Sequence, residues 1–181
     1  GTPELSRFWI LFIFSLASGL QGLQWITFSS FPTNLAEKYL PSLNEQTLQT
    51  LLQEGPIMYL ILCAPAAWLV SSSTLGLRRS VLLSVWLGVI ATFLRACPSW
   101  LYTEEERQSN PSLGWYIHAG QIVNAGMAPL TQVAPSLLAQ VWFPVRERGS
   151  ATGIARISNA MGRGVAYFLG PWVVQTSGKK N

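Results

Sequence analysis

The chain has 181 residues, of which 49% are hydrophobic and only 11% charged, with a formal net charge of +4. Ordinary soluble domains carry roughly 25% charged residues, so the missing charge excludes a soluble globule and points to lipid as the surrounding medium. The positive balance would suggest nucleic acid in a soluble chain, but the arginines stand in short connections or inside apolar sequence, which excludes a nucleic-acid partner.

The first apolar stretch runs from about residue 8 to 31, from Phe8-Trp9-Ile10-Leu11 through a small-residue middle to Trp25-Ile26-Thr27-Phe28, with no charge between Arg7 and Glu37. A spanning helix needs roughly 20 predominantly apolar residues, which this stretch supplies. The second span covers 55–72, and its helix is expected to start earlier, at the Ser-x-x-Glu capping box of Ser42 and Glu45. Pro56 and Pro65 fall inside it; spanning helices accept proline when neighbours satisfy the freed carbonyls, and a bend is expected. The third, fourth and fifth spans cover 80–97, 115–141 and 150–174. The fold class is therefore all-α: a polytopic membrane helix bundle of about five spans occupying 1–181.

The connections differ in character. Gly76-Leu77-Arg78-Arg79 and Pro144-Val145-Arg146-Glu147-Arg148 are short and basic, whereas the other two are longer and carry Glu37, Lys38, Glu45, Glu54 and Glu104 to Glu106. The positive-inside rule puts the N-terminus and both short loops in the cytosol; Lys179 and Lys180 at the far end run against it. Cys63 and Cys97 lie inside spans without metal-ligand spacing, and they read as small apolar packing residues. No metal and no cofactor is implied. Gly120, Gly126, Gly153, Gly162, Gly164 and Gly170 read as small packing faces of spans four and five. The short polar lead without Met makes a fragment or truncated form the expectation.

The order of the motifs carries more than any one of them. Gln21-Gly22-Leu23-Gln24-Trp25 is followed by Gly55-Pro56-Ile57, Leu94-Arg95-Ala96-Cys97-Pro98, and the run from Ile117-His118 to Val123-Asn124. Ala134-Pro135, Trp142-Phe143 with Glu147-Arg148, and Phe168-Leu169-Gly170-Pro171 complete the series. Together they resemble the N-terminal half of solute carrier family 49 in the major facilitator superfamily. The likeness is to the lysosomal branch of disrupted in renal carcinoma protein 2, with the feline leukaemia virus subgroup C receptors as cousins. The resemblance implies a transporter of two six-span bundles that rock about a central site, moving a choline- or ethanolamine-like amine, a pyridoxine-like vitamin or a haem-like solute. Its setting would be the lysosomal or plasma membrane, and its missing partner the C-terminal half. Departures are visible too: the superfamily's loop Asp is replaced by serines in Val70 to Arg79, and the chain contains no Asp.

On the family pattern Trp25 falls where a tryptophan packs against a quaternary ammonium, a contact worth up to about 2 kcal/mol when desolvated. The other candidate substrate contacts are the polar side chains of the same spans: Gln21, Gln121, Asn124, Asn159 and Arg163. Arg156 and Arg163 are two turns apart in span five with Asn159 between them, which places the three on one helix face. Intramembrane arginines rarely face lipid, and cavity-facing guanidiniums would favour a solute with an anionic group. His118 is the natural proton-coupling candidate, since imidazole titrates in the physiological range, and Glu54 before Gly55-Pro56 competes for that role. Arg78, Arg79, Glu147 and Arg148 are candidates for the cytosolic gate. Two other classes compete with a transporter: a truncated membrane protein acting through helix–helix contact, and a membrane enzyme. The enzyme lacks any nucleophile with carboxylate support.

Overall fold

A computed structural model describes residues 3–27, 40–71 and 76–177. The expected end of span one at 28–31, Glu37 and Lys38, the serine-rich connection at 72–75, and Lys179 and Lys180 lie outside the described residues. Five long helices dominate: α1 (Pro3–Ile26), α2 (Glu45–Ser71), α3 (Gly76–Leu101), α5 (Trp115–Trp142) and α6 (Arg148–Ser177). A short α4 (Glu104–Ser109) and a 3₁₀ turn (Pro111–Gly114) join α3 to α5, and no strand occurs among the described residues. The architecture is all-α.

Local signals explain most of the boundaries. Gly76 opens α3 at φ 64°, a left-handed conformation that glycine adopts without steric cost. Thr103 and Glu106 make a reciprocal capping box on α4, Thr103 Oγ1 accepting from the Glu106 N–H while Glu106 Oε2 accepts from the Thr103 N–H at 2.8 Å. Those bonds, backbone first and hydroxyl second, hold the exposed Glu106 carboxyl below its ordinary range. At the start of α2 the expected Ser42 box is replaced. Asn44 is the cap, its Oδ1 accepting from the Thr47 N–H at 2.9 Å, because the Leu40–Leu43 turn folds Leu40 and Leu43 inward and leaves Asn44 beside the first free amides.

Contacts set the directions of the helices. Gly19 and Gly22 of α1 meet Ser158 and Asn159 of α6 in rising order, so these two run parallel. Glu54 with His118, and Ala66 and Val70 with Leu130, make α2 parallel to α5. Gly88 facing Met127 and Arg95 facing Gly120 make α3 antiparallel to α5. Helix α5 is central, packing on α1, α2, α3 and α6.

Three apolar clusters support this arrangement. Leu11 and Phe14 pack with Leu138, Phe143 and Ala155 at the basic-loop end, and Leu40, Leu43, Leu51 and Ile117 pack at the other. Ala66, Val70 and Leu130 fill the α2–α5 seam. Outward faces are apolar as well: Trp9, Phe12, Leu60, Trp68, Trp86 and Phe93 are all exposed. Such a surface suits lipid and not water. Helices α1, α2 and α3 are long and apolar enough to cross a membrane. In α5 and α6 that hydropathy is lowered by glycines and polar side chains, Gln121, Asn124 and Asn159 among them.

The closest helix approach is between α1 and α6. A Cβ at Gly162 would run into the carbonyl of Gly19, and one at Gly22 into the carbonyl of Asn159. Gly120 likewise admits the stem of Arg95. Gly153 and Gly164, expected as packing residues, have nothing within 4 Å of an added Cβ, because the buried face of α6 is the Ala155, Asn159, Gly162 and Ala166 stripe. Gly162→Ala should therefore lower thermal stability in detergent by about 1–3 kcal/mol, the usual range for overpacking. Gly164→Ala should leave it level or raise it slightly, since alanine is the better helix former. Equal melting temperatures for the two variants would contradict this packing.

Candidate functional site

Within an apolar exterior the bundle holds two polar nodes. The first joins α1 to α6. Asn159 is buried and donates through Nδ2 to the Ser18 carbonyl at 2.8 Å and to Gln21 Oε1 at 2.7 Å. Its own Oδ1 accepts from Arg163 Nη2 at 2.9 Å. Arg163 is half-buried; its Nε is buried without a partner, and no carboxylate pairs with it among the described residues.

The second node joins α1, α2, α3 and α5. Arg95 Nη1 donates to the Gln24 carbonyl at 2.9 Å, and its Nη2 donates to Gln121 Oε1. Gln121 passes the connection on, donating through Nε2 to the Leu51 carbonyl at 3.2 Å. Gln24 Nε2 donates to Thr92 Oγ1 at 2.7 Å. One turn before Gln121, His118 Nδ1 lies 2.6 Å from Glu54 Oε1, both side chains largely covered. That contact ties α2 to α5. Asn124 is fully buried with neither amide atom bonded, so it belongs to neither node.

Trp25 follows Gln21 by one turn of α1 and packs on α2. It is half-buried at the end of α1, and its six-membered ring lies against Gly55, where an added Cβ would come within 2.9 Å of Cζ2. Gly55 follows Glu54 and precedes Pro56, so the indole touches the same short stretch of α2 that holds the carboxylate paired with His118.

The structure thus brings Gln21, Asn159 and Arg163 together, and separately His118 with Glu54. Gln121 is taken up by Arg95. Arg156 does not join Arg163 and Asn159: it is exposed, whereas Arg163 folds back one turn onto Asn159. At the basic-loop end Glu147 Oε2 pairs with Arg7 Nη2 at 3.4 Å, and Arg7 lies over the Phe8 and Phe143 rings. Arg148 turns back to the Phe143 and Gln140 carbonyls, closing the C-terminus of α5. Arg78 and Arg79 are exposed at the start of α3. Sequence reasoning missed Arg95, Gln24 and Thr92 as members of a node. The signal for Arg95 was the one used for Arg163, a guanidinium inside an apolar span.

Apolar outer faces around buried amide, guanidinium and imidazole groups, most of them toward the helix ends away from the basic loops, define a multi-pass membrane bundle with a polar interior. No protein-family model matches the chain. It is 31% identical over 176 residues to solute carrier family 49 member A3 of Xenopus tropicalis, covering 93% of this chain and 34% of that protein. It is 32% identical over 168 residues to the solute carrier family 49 member 4 homolog of Xenopus laevis, again covering 93% and 34%. A choline/ethanolamine transporter of Mus musculus is 30% identical over 175 residues, covering 97% of this chain and 29% of that protein. Over nearly its whole length the chain is similar to members of solute carrier family 49, and its apolar helices fit a multi-pass membrane protein. It spans about a third of the length of these relatives.

Proposed function

We propose that this chain is the N-terminal half of an alternating-access transporter for a small organic solute, with all five long helices crossing the bilayer and both short basic loops in the cytosol. The observation that carries this reading is the placement of Trp25, half-open and one turn beyond the bonded Gln21–Asn159 pair. An indole so placed offers its face to an ammonium head, and the nearby amides supply orienting hydrogen bonds. The relatives named for transport make choline- and ethanolamine-like amines the first solutes to try, with pyridoxine-like and haem-like compounds beside them. The membrane is lysosomal or plasma, the second half of the transporter completes the site, and no enzymatic step is involved.

Proton coupling falls to His118 and Glu54. A proton shared across α2 and α5 ties the two helices, and its loss lets the Gly55 stretch and the indole against it shift together. In the full-length transporter, uptake of one of choline, ethanolamine, pyridoxine or haem is expected, and failure of all four overturns the solute class. His118→Gln should flatten the response of uptake to an imposed proton gradient. An unchanged response would remove the pair from coupling.

A second reading, a truncated membrane protein that binds partner helices, is favoured by one feature. An apolar groove of about 540 Å³ runs along α1 and α6, lined by Phe12, Leu16, Leu20, Ile154, Met161 and Val165 among others. Recovery of the chain in stable complex with another membrane protein, and no solute binding, would support that reading.

A further inference from the structure

We propose that α6 docks through its arginine-bearing flank onto a membrane helix of the transporter's second half, and that a carboxylate on that helix pairs with Arg156. The proposal rests on the transport reading above and names a partner for a surface that reading leaves uncovered.

At about 100° per residue, α6 divides into three arcs. Ala155, Asn159, Gly162 and Ala166 are buried and form the seam toward α1. To one side of that stripe lie Ile154, Ile157, Met161, Val165 and Phe168, all exposed and apolar, an arc suited to lipid. To the other side lie Gly153, Arg156, Ala160, Arg163 and Tyr167, at alternating spacings of three and four residues. The mean period of about 3.5 residues is the one that keeps a row of side chains facing a single neighbouring helix. Arg156, Ala160 and Tyr167 are exposed, and a Cβ on Gly153 would meet nothing within 4 Å, so no helix covers the row among the described residues. Gly153 and Ala160 leave room for a second backbone to come close.

Depth separates Arg156 from the headgroups. Its neighbour Ala155 is fully buried in the cluster of Leu11, Phe14 and Leu138, and Arg156 stands about 12 Å along the helix from Arg148. Arg156 makes no ion pair among the described residues, and Arg163, two turns further on, donates one Nη2 bond to the neutral Asn159. The row therefore presents two guanidiniums and no counter-charge. At this depth a guanidinium is stable against a protein surface that supplies a carboxylate and unstable against lipid tails. A second copy of this chain does not supply it. The chain has no Asp, and apart from Glu54, which is paired with His118, the described glutamates stand at helix starts, in α4 or in a connection. The complementary helix belongs to the second half: apolar, small along its seam, and acidic opposite Arg156.

The test places the photoreactive p-benzoylphenylalanine on this flank of the full-length protein in proteoliposomes, as Ala160→p-benzoylphenylalanine and, closer in size to the native side chain, Tyr167→p-benzoylphenylalanine. Adducts mapped by mass spectrometry should fall in a span of the second half that carries Asp or Glu within one turn of the marked residue. Arg156→Glu should then lower the melting temperature and reduce uptake at least about tenfold, because like charges now face each other across the seam. Reversing the marked acid to Arg in the same protein should restore most of both. No adduct to protein from either probe, an adduct to a second copy, a marked span without an acid, or a reversal that the second reversal does not rescue would each overturn the proposal. Uptake by the unsubstituted protein, measured in parallel, tests the transport reading by itself. Uptake with adducts to lipid alone keeps that reading and removes the docking, and the expected adduct with rescued melting temperature but no uptake does the opposite.

Discussion

Trp25→Ala is expected to weaken binding of an amine solute by up to about thirtyfold, with Trp25→Phe falling in between. The magnitude follows from a desolvated cation–indole contact of up to about 2 kcal/mol, and the order from the weaker quadrupole of a phenyl ring. Both substitutions also loosen the contact with Gly55, so melting temperature must be read beside affinity. A purely structural role predicts that Trp25→Phe and Trp25→Ala lower stability while leaving affinity for the amine unchanged in the folded fraction. Equal affinity for all three proteins, measured by equilibrium binding in nanodiscs, would move the solute to another wall of the bundle.

Arg95→Leu should destabilise the bundle by about 2–4 kcal/mol, the cost of leaving a buried acceptor unpaired together with imperfect filling of the space. The acceptor is Gln121 Oε1, on a side chain that is 3% exposed and also holds the Leu51 carbonyl. The Gln24 carbonyl loses its guanidinium donor at the same time, although the Gln24 side chain still ties α1 to α3 through Thr92. Arg95→Lys should recover only part, because a single ammonium cannot reach α1 and α5 with the fixed fork of a guanidinium. Thermal unfolding in detergent reads the difference directly. An Arg95→Leu protein as stable as the wild type would mean that α1, α3 and α5 do not depend on this bridge.

Both predictions concern residues whose visibility in the sequence was unequal. Trp25 stands out by its place in an ordered set of motifs, but Gly55, the residue its ring lies on, is 30 positions away and carries no sign of the contact. Arg95 was visible as an expensive charge in an apolar span, and nothing near it in sequence named Gln24 or Gln121 as its acceptors. The Glu54–His118 pair is similar: each was a reasonable proton site alone, and only the parallel packing of α2 on α5 set them 2.6 Å apart. The two arginines of α6 show the opposite error. Helical spacing put Arg156 and Arg163 on one face, yet the spacing says nothing of what each can reach, and only Arg163 has a buried amide one turn back.

What the sequence by itself determined is the all-α class with its long apolar helices, and the likeness to a family. Those properties rest on local quantities: hydropathy over a span's length, the distribution of charge, turn residues, and motif order. Tertiary structure alone decided which polar groups share a node, that Asn44 and not Ser42 caps α2, and that Gly19, Gly22 and Gly162 are contact residues while Gly153 and Gly164 are not. The physical reason is that a helix presents its side chains around a full circle. Which arc is buried depends on the neighbours it meets, and those come from segments as far away as Asn159 is from Ser18, 141 residues along the chain.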